Sequence, residues 1–360
     1  MKALIAAGGH ATRLRPITWT TNKHLIPLAN KPMLQHVIEK IVHAGVTDII
    51  ININPGEKDI MMKVLGDGSR FGAKLTYLEQ HGGAKGVAHV VANAVEYLAG
   101  ERFLYFLGDN IMLGTIKHLV DRFQKEQLDC LLAFSRVKDP QRFGVPEFKA
   151  DGSLERIIEK PKVPPSPYAV TGIYFYDEHY FDAFRTLQPS TRGEYEISDI
   201  NTWYIRNRKV GYEEITGWWK DTGTPDALLE GNALIMDDLA REHFCLNCDI
   251  PEMAQLQGLV SIGKGTRIGE DCLIRGPVII GENCEISGAY IGPYTSISDG
   301  VKIKNTEVEH SIIFPGASID TTRRIINSII GINATLVDVT RSHPKSGHRL
   351  VVGDNSFVEL

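Results

Sequence analysis

Over roughly the first two thirds of the chain, apolar positions fall in short unbroken runs separated by stretches of helical spacing. The runs Lys2–Ala7, Asp48–Asn52, Leu75–Glu79, Phe103–Leu107, Cys130–Ser135 and Gly172–Tyr176 are short apolar strand candidates, and the first is apolar on both faces, as strands inside a parallel sheet are. Met33–Ala44 has Pro32 at its start and Gly45 just past its end, and Gly86–Ala99 runs to Gly100. Proline and glycine in those places mark helix boundaries. The alternation predicts an α/β, Rossmann-like, mostly parallel sheet with helices on both faces. Ligands of such sheets bind outside the carboxyl ends of the strands.

After about residue 258 the period changes. Isoleucine recurs at 262, 268, 274, 280 and 286, resumes at 291, 297 and 303, and again at 313, 319 and 325. Glycine often follows it (Gly263, Gly269, Gly281, Gly292), and a small residue often stands four places on (Thr266, Cys272, Val278, Cys284, Thr295). A hexapeptide period with an apolar first position predicts a parallel β-helix, each isoleucine pointing inward. The segments Asn305–Ser311 and Thr321–Arg324 interrupt the pattern and are predicted to be loops projecting from it. The division is 1–240 for a catalytic domain and 241–360 for the β-helix.

Composition changes this picture little. With 360 residues, 43% hydrophobic and 23% charged, the chain has room for two domains with real cores. A net charge of −5 argues against nucleic acid or an anionic membrane as partner. No run reaches transmembrane length, and the apolar run after Lys2 is too short for a signal peptide. The expectation is a cytoplasmic protein. Five scattered cysteines fit reduced thiols. Cys245 and Cys248 form a C-x-x-C without a second metal-ligand pair of suitable spacing, and Cys272 and Cys284 fit the repeat as core packers.

Candidate chemistry sits at the ends of the apolar runs. Past the first strand, Gly8 and Gly9 let backbone N–H groups approach a phosphate, and Arg13 adds a forked, permanent cation. Lys23 lies between a loop and an apolar run; it is either solvated or a neutraliser of an α-phosphate. Phe103–Leu107 runs into Gly108-Asp109-Asn110, which puts a carboxylate at the sheet rim or simply makes a turn. Asp221, in Trp218-Trp219-Lys220-Asp221-Thr222-Gly223, is either a second carboxylate or part of the N-cap region of the helix that begins near Pro225. Two carboxylates from distant segments suit Mg²⁺ bound jointly with substrate phosphates. Glu159 can accept from sugar hydroxyls and Lys160 can hold a sugar phosphate, or the pair is a solvated edge. Ser198 and Asp199, after Arg192-Gly193-Glu194, are either site residues or a helix start. There is no Walker lysine motif, no G-x-G-x-x-G and no G-x-S-x-G.

Taken in order, Gly8-Gly9-x-x-Thr12-Arg13-Leu14-Arg15-Pro16, Lys23-x-Leu25-x-Pro27, Lys31-Pro32-Met33, Gly108-Asp109-Asn110, Glu159-Lys160-Pro161, Arg192-Gly193-Glu194 and Trp219-Lys220-Asp221-Thr222-Gly223 resemble the sugar-1-phosphate nucleotidylyltransferases. The likeness spans the chain and is greatest to the long form of the glucose-1-phosphate thymidylyltransferases, which carries a C-terminal left-handed β-helix. It implies that a sugar 1-phosphate and a nucleoside triphosphate give a nucleotide-sugar and pyrophosphate by in-line attack, with positioning and charge neutralisation as the main catalytic terms. By the same resemblance Arg13 and Lys23 are catalytic. Gly8, Gly9, Thr12, Gln80 and Gly86 bind the nucleotide. Gly144, Glu159, Lys160, Val170, Tyr174 and Arg192 line the sugar-phosphate pocket, and Asp109 and Asp221 hold Mg²⁺.

Three departures fall on the nucleotide side. Ala11 stands where the loop usually has a second glycine, His24 stands in place of glutamine, and the segment from Gln80 to Gly86 lacks the usual prolines and is one residue longer. Uridine is therefore the alternative base. An added acetyltransferase in the β-helix, with His310 or His343 as base, and a non-catalytic scaffold subunit are the rival readings. The β-helix is expected to make a homo-oligomer.

Overall fold

The computed structural model describes residues 1–239 and 243–338. By packing, the chain forms two compact units, Met1–Gly9 with Leu34–Asp221, and His10–Met33 with Thr222–Leu360.

The first unit is built on a seven-stranded sheet. Lys2–Ala6 pairs in parallel with Asp48–Ile53 on one side and Phe103–Leu107 on the other, and Lys74–Glu79 extends the sheet beyond Asp48–Ile53. Cys130–Arg136 pairs in parallel with Val210–Glu214. Between these two parallel blocks lies Tyr168–Tyr176, antiparallel to both neighbours. This strand is longer than the predicted Gly172–Tyr176; its first half contains Thr171, a polar residue fully buried by donating to the Ala133 carbonyl at 2.9 Å. The predicted helix Gly86–Ala99 is broken into Val87–Asn93 and Val95–Leu98, with Ala94 leaving helical geometry at φ −92°, ψ 15°. Tyr105, Tyr174, Tyr176, Tyr180 and Tyr204 pack in one buried cluster, Tyr174 stacked on Tyr105 and Tyr176, and Tyr180 edge-on to Tyr176. Burial raises the phenol pKa of each above the ordinary range.

In the second unit, three parallel sheets of five strands each stack into the expected left-handed β-helix. Successive circuits are in register, with Ile262, Ile280, Ile297, Ile313 and Ile330 opposite one another. Chain corners are made by residues in the left-handed region, at Gly265, Asn283, Gly300, Gly316 and Asn333 with φ between 53° and 74°. Two predictions are corrected here. Asn305–Ser311 is no projecting loop: Glu307–Glu309 is a regular strand, and Val308, fully buried, takes the isoleucine position. Thr321–Arg324 is likewise a corner leading into strand Arg324–Ile326. Thr306 and Thr321 are tolerated inside because the Thr306 hydroxyl donates to the Thr321 carbonyl at 2.9 Å.

The units defined by packing differ from the 1–240 and 241–360 division drawn from the repeats. Residues 10–33 and the helix Pro225–Asp238 fall with the β-helix, held by polar contacts that no sequence period reveals. No described helix is long and apolar enough to cross a membrane. Cys272 and Cys284 are buried in the β-helix core, and burial raises both thiol pKa values. Cys245 is exposed and Cys248 half-buried, and no cluster of three metal-ligating side chains forms around them among the described residues.

Candidate active site

A cleft of about 220 Å³ lies in the first unit where strand Phe103–Leu107 ends, the place open α/β sheets reserve for ligands. Its wall includes seven predicted residues: Asp109, Asp221, Gly144, Glu159, Lys160, Val170 and Tyr174.

The two aspartates meet through a short ribbon. Asn110–Met112 pairs antiparallel with Trp219–Asp221, Asn110 opposite Asp221. Asn110 is the joint of this corner. Its Nδ2 donates to Asp109 Oδ1 at 2.8 Å, while its Oδ1 accepts from Trp219 Nε1 at 2.8 Å and from the Gly172 amide at 3.2 Å. Gly172 is required by close approach: a Cβ there would stand 2.7 Å from the Asn110 side chain and 2.8 Å from Leu107. The alternative reading of Asp221 as a helix cap is not needed. Thr224 is the N-cap of Pro225–Asp238, its hydroxyl accepting from the Ala227 amide at 3.3 Å. Two hard carboxylates brought to one cleft, Asp109 beside the strand Asn110–Met112 and Asp221 on its partner, fit a Mg²⁺-type cation, which favours one or two carboxylates plus phosphate and water.

On the opposite wall the hairpin Gly144–Phe148 and Leu154–Glu159 places Glu159 across from Gly144. The Ser198 hydroxyl donates to Glu159 Oε2 at 2.5 Å, fixing the carboxylate. Ser198 and Asn201 lie one turn apart on helix Ile197–Asn207 and both line the cleft. Asn201 is fully buried, and its Oδ1 accepts from the Tyr176 hydroxyl at 2.6 Å. Lys160 sits at φ 43°, with its Nζ 3.5 Å from Glu159 Oε1. Tyr174 is held neutral by burial, reinforced by the negative charges of Glu159 and Asp109. Arg192 is not among the side chains lining the cleft, but it reaches Glu159, which is. Its Nη2 lies 2.8 Å from Glu196 and 3.6 Å from Glu159, so here it serves as counter-ion to an acidic cluster.

Of the residues expected on the nucleotide side, Gly8, Gly9, Gln80 and Gly86 belong to this unit. Gly9 has φ 101°, a conformation suited to glycine. Its amide, expected to face a phosphate, instead donates to Asn54 Oδ1 at 2.8 Å, and Asn54 Nδ2 returns a bond to the Gly9 carbonyl at 3.3 Å. A Cβ on Gly8 would come within 3.2 Å of Asn54 Oδ1 and 3.6 Å of Gln80 Oε1, so Gln80 flanks the same turn. Gln80 Nε2 donates to the Gly83 carbonyl at 3.0 Å. Gly86, at φ 93°, packs against the Tyr195 backbone, where a Cβ would stand 2.6 Å from the carbonyl oxygen.

Thr12, Arg13 and Lys23 belong to the second unit. Thr12–Leu14 and Lys23–Leu25 are single 3₁₀ turns. Ala11, the residue replacing the usual glycine, is in the left-handed region at φ 41°, ψ 50°. His24 is buried, its amide donating to Asn22 Oδ1 at 2.8 Å and its Nδ1 3.0 Å from the same oxygen. His310 occupies a β-helix corner at φ 46°, with Nδ1 2.7 Å from Asn327 Oδ1; His343 lies outside the described residues. Sequence reasoning missed Asn54, Asn201 and the linking role of Asn110. Asn54-Pro55-Gly56 carries only a turn signal, and a lone asparagine inside a helix carries none.

Comparison with known proteins shows the family of the chain. A family profile described as nucleotidyl transferase matches residues 2–238. A glucose-1-phosphate thymidylyltransferase of Streptomyces antibioticus is 40% identical over 365 residues, covering 100% of this chain and 99% of its own. A low-salt glycan biosynthesis nucleotidyltransferase of Haloferax volcanii is 35% identical over 362 residues, covering 100% of both chains. Among solved structures, a Bacillus anthracis protein in complex with sucrose, assigned by its describers to glucose-1-phosphate thymidylyltransfer, superposes with a TM-score of 0.62. It is 40% identical and covers 65% of this chain and 94% of its own. The profile spans most of the chain and the relatives span all of it: this chain belongs to the nucleotidyl transferase family.

Proposed function

We propose that the chain joins glucose 1-phosphate to dTTP, giving dTDP-glucose and pyrophosphate. The observation that supports this most is the cleft in which Asp109, Asp221, Gly144, Glu159, Lys160, Val170 and Tyr174, drawn from widely separated segments, line one wall-to-wall site. Two relatives matched over their full length are a glucose-1-phosphate thymidylyltransferase and a glycan-biosynthesis nucleotidyltransferase, which points the reading toward nucleotide-sugar synthesis.

A phosphate oxygen of the sugar phosphate attacks the α-phosphorus in line, a P–O bond forms, and the bond to the β-phosphate oxygen breaks as pyrophosphate leaves. No protein nucleophile is required, so the side chains bind, orient and neutralise charge. Glu159, fixed by Ser198, accepts from sugar hydroxyls, and Lys160 holds the sugar phosphate. Tyr174, neutral at any physiological pH, offers an uncharged wall beside the anionic substrate. The Gly8–Gly9 turn with Gln80 and Gly86 takes the base and ribose side, and Thr12 is a further nucleotide-binding residue. Arg13 neutralises the triphosphate and Lys23 the phosphate at the reacting centre. Asp109 and Asp221 would hold Mg²⁺, which supplies neutralisation of phosphate charge. The enzyme works in the cytoplasm as a homo-oligomer, with static light scattering as the check on subunit number.

The test is a matrix of dTTP, UTP and the other triphosphates against sugar 1-phosphates, with released pyrophosphate as readout and EDTA as control. The expected result is highest turnover with dTTP and glucose 1-phosphate, abolished by EDTA. Preference for UTP would assign the enzyme to the uridylyl branch, and absence of turnover with every pair would leave the scaffold reading.

A further inference from the structure

We propose that the β-helix is a positioning scaffold for the chain segment that carries Arg13 and Lys23, and that Asn232, Ser296 and Asn30 are the positioning residues. The roles of Arg13 and Lys23 rest on the function proposed above; the tether is read from hydrogen bonds within the second unit.

The segment leaves the Lys23–Leu25 turn through the bond from the Ile26 amide to the Lys23 carbonyl at 3.2 Å. It then folds as a two-residue hairpin with Pro27 opposite Pro32 and Leu28 opposite Lys31, closed by the Met33 amide donating to the Ile26 carbonyl at 3.0 Å. Ile26, Leu28 and Met33 are fully buried. The hairpin tip, Ala29-Asn30, has φ 49° and 59°, the pair of left-handed residues that a type I′ turn demands. Asparagine suits that conformation and alanine does not.

The tip is seated by polar contacts. The Ala29 amide donates to Asn232 Oδ1 at 2.8 Å, and Asn30 Nδ2 donates to the Ile297 carbonyl of a β-helix strand at 2.6 Å. Asn232, on helix Pro225–Asp238, is itself fully buried. Its Oδ1 also accepts from the Ser296 hydroxyl at 3.0 Å, and its Nδ2 donates to the Tyr294 carbonyl at 3.0 Å. One buried amide therefore joins the hairpin, the helix and a β-helix circuit.

A buried amide is costly unless bonded, and leucine would fill the same volume in a helix that only needed to pack. A polar group retained at such a place fixes one arrangement among several that packing alone would allow. What it fixes is the backbone running directly into Lys23. In this reading the β-helix acts on the reaction through the orientation of that cation, without touching substrate.

The full-length chain and its variants Asn30→Gly, Ser296→Ala and Asn232→Leu test this. Glycine at 30 keeps the turn conformation and deletes the Asn30 side-chain bond to the Ile297 carbonyl, and Ser296 lies on the β-helix away from the segment itself. Hydrogen exchange of peptides within 22–33 is expected to quicken at least tenfold in each variant, with strands Lys2–Ala6 and Phe103–Leu107 unchanged. The kcat/KM for the triphosphate is expected to fall about fivefold or more, while KM for the sugar 1-phosphate stays within about twofold. Unchanged exchange over 22–33 in Asn30→Gly and Ser296→Ala overturns the tether even if Asn232→Leu does not fold. Quickened exchange with an unaltered triphosphate kcat/KM, or an equal loss toward both substrates, overturns the positioning role. A wild-type chain with no turnover on any substrate pair counts against the proposed function alone, and the exchange arm still decides the tether.

Discussion

The sheet unit and the β-helix solve the same packing problem at different ranges. In the sheet unit a strand such as Phe103–Leu107 is flanked by Lys2–Ala6 and Tyr168–Tyr176, segments far off in sequence. Its carboxyl end is left to irregular backbone, where Asp109, Asn110 and Gly172 are locked to one another. In the β-helix each strand pairs with the strand one circuit away, and the interior is a repeated column of isoleucine. Long-range order thus creates a few unique polar corners, and short-range order creates many equivalent apolar ones. Chemistry belongs to the first kind of place and cumulative stability to the second.

The contrast is broken most severely by removing a unique corner. Asp221→Asn is expected to lower kcat by about 10³-fold, the scale of losing one main electrostatic group, with thermal stability close to wild type. Steady-state kinetics beside a melting curve checks this; full activity in the variant removes the carboxylate pair from the site. An equivalent corner behaves in the opposite way. Ile303→Ala, at a fully buried β-helix position, is expected to cost about 2–5 kcal/mol in chemical denaturation. Its kcat and KM, measured well below the melting transition, should stay at wild-type values. The smallest effect is at Ala11, whose left-handed backbone strains an alanine. Ala11→Gly is expected to be neutral or to stabilise by up to about 1 kcal/mol, and a clear loss of stability would mean that the Ala11 methyl packs usefully.

Legibility followed the same divide. The strands of the sheet are readable because apolar runs end abruptly at glycine, and the first half of Tyr168–Tyr176 is not, because Thr171 and Gly172 break the run. The repeat is readable from its isoleucines, yet the segment around Val308 reads as an interruption because a valine does the isoleucine's work without its letter. The carboxylate corner was visible as Gly-Asp and Lys-Asp motifs. Its supports were hidden: Asn110, Asn54 and Asn232 act through side-chain amides whose partners lie tens to hundreds of residues away, and asparagine in sequence signals only a turn. The attachment of residues 10–33 to the β-helix was unreadable for the same reason.

The left-handed corners of the β-helix have a bearing on how such a chain can lengthen. Because Gly265, Asn283, Gly300, Gly316 and Asn333 stack as one column, a duplicated lap that brings its own glycine or asparagine slots between two existing laps and leaves their registration intact. A duplication of one or two hexapeptides would keep the isoleucines inward but move every downstream corner onto another face, out of this column. Growth of this half of the molecule is therefore quantised, whereas the sheet half, with no repeating lap, has no comparable step.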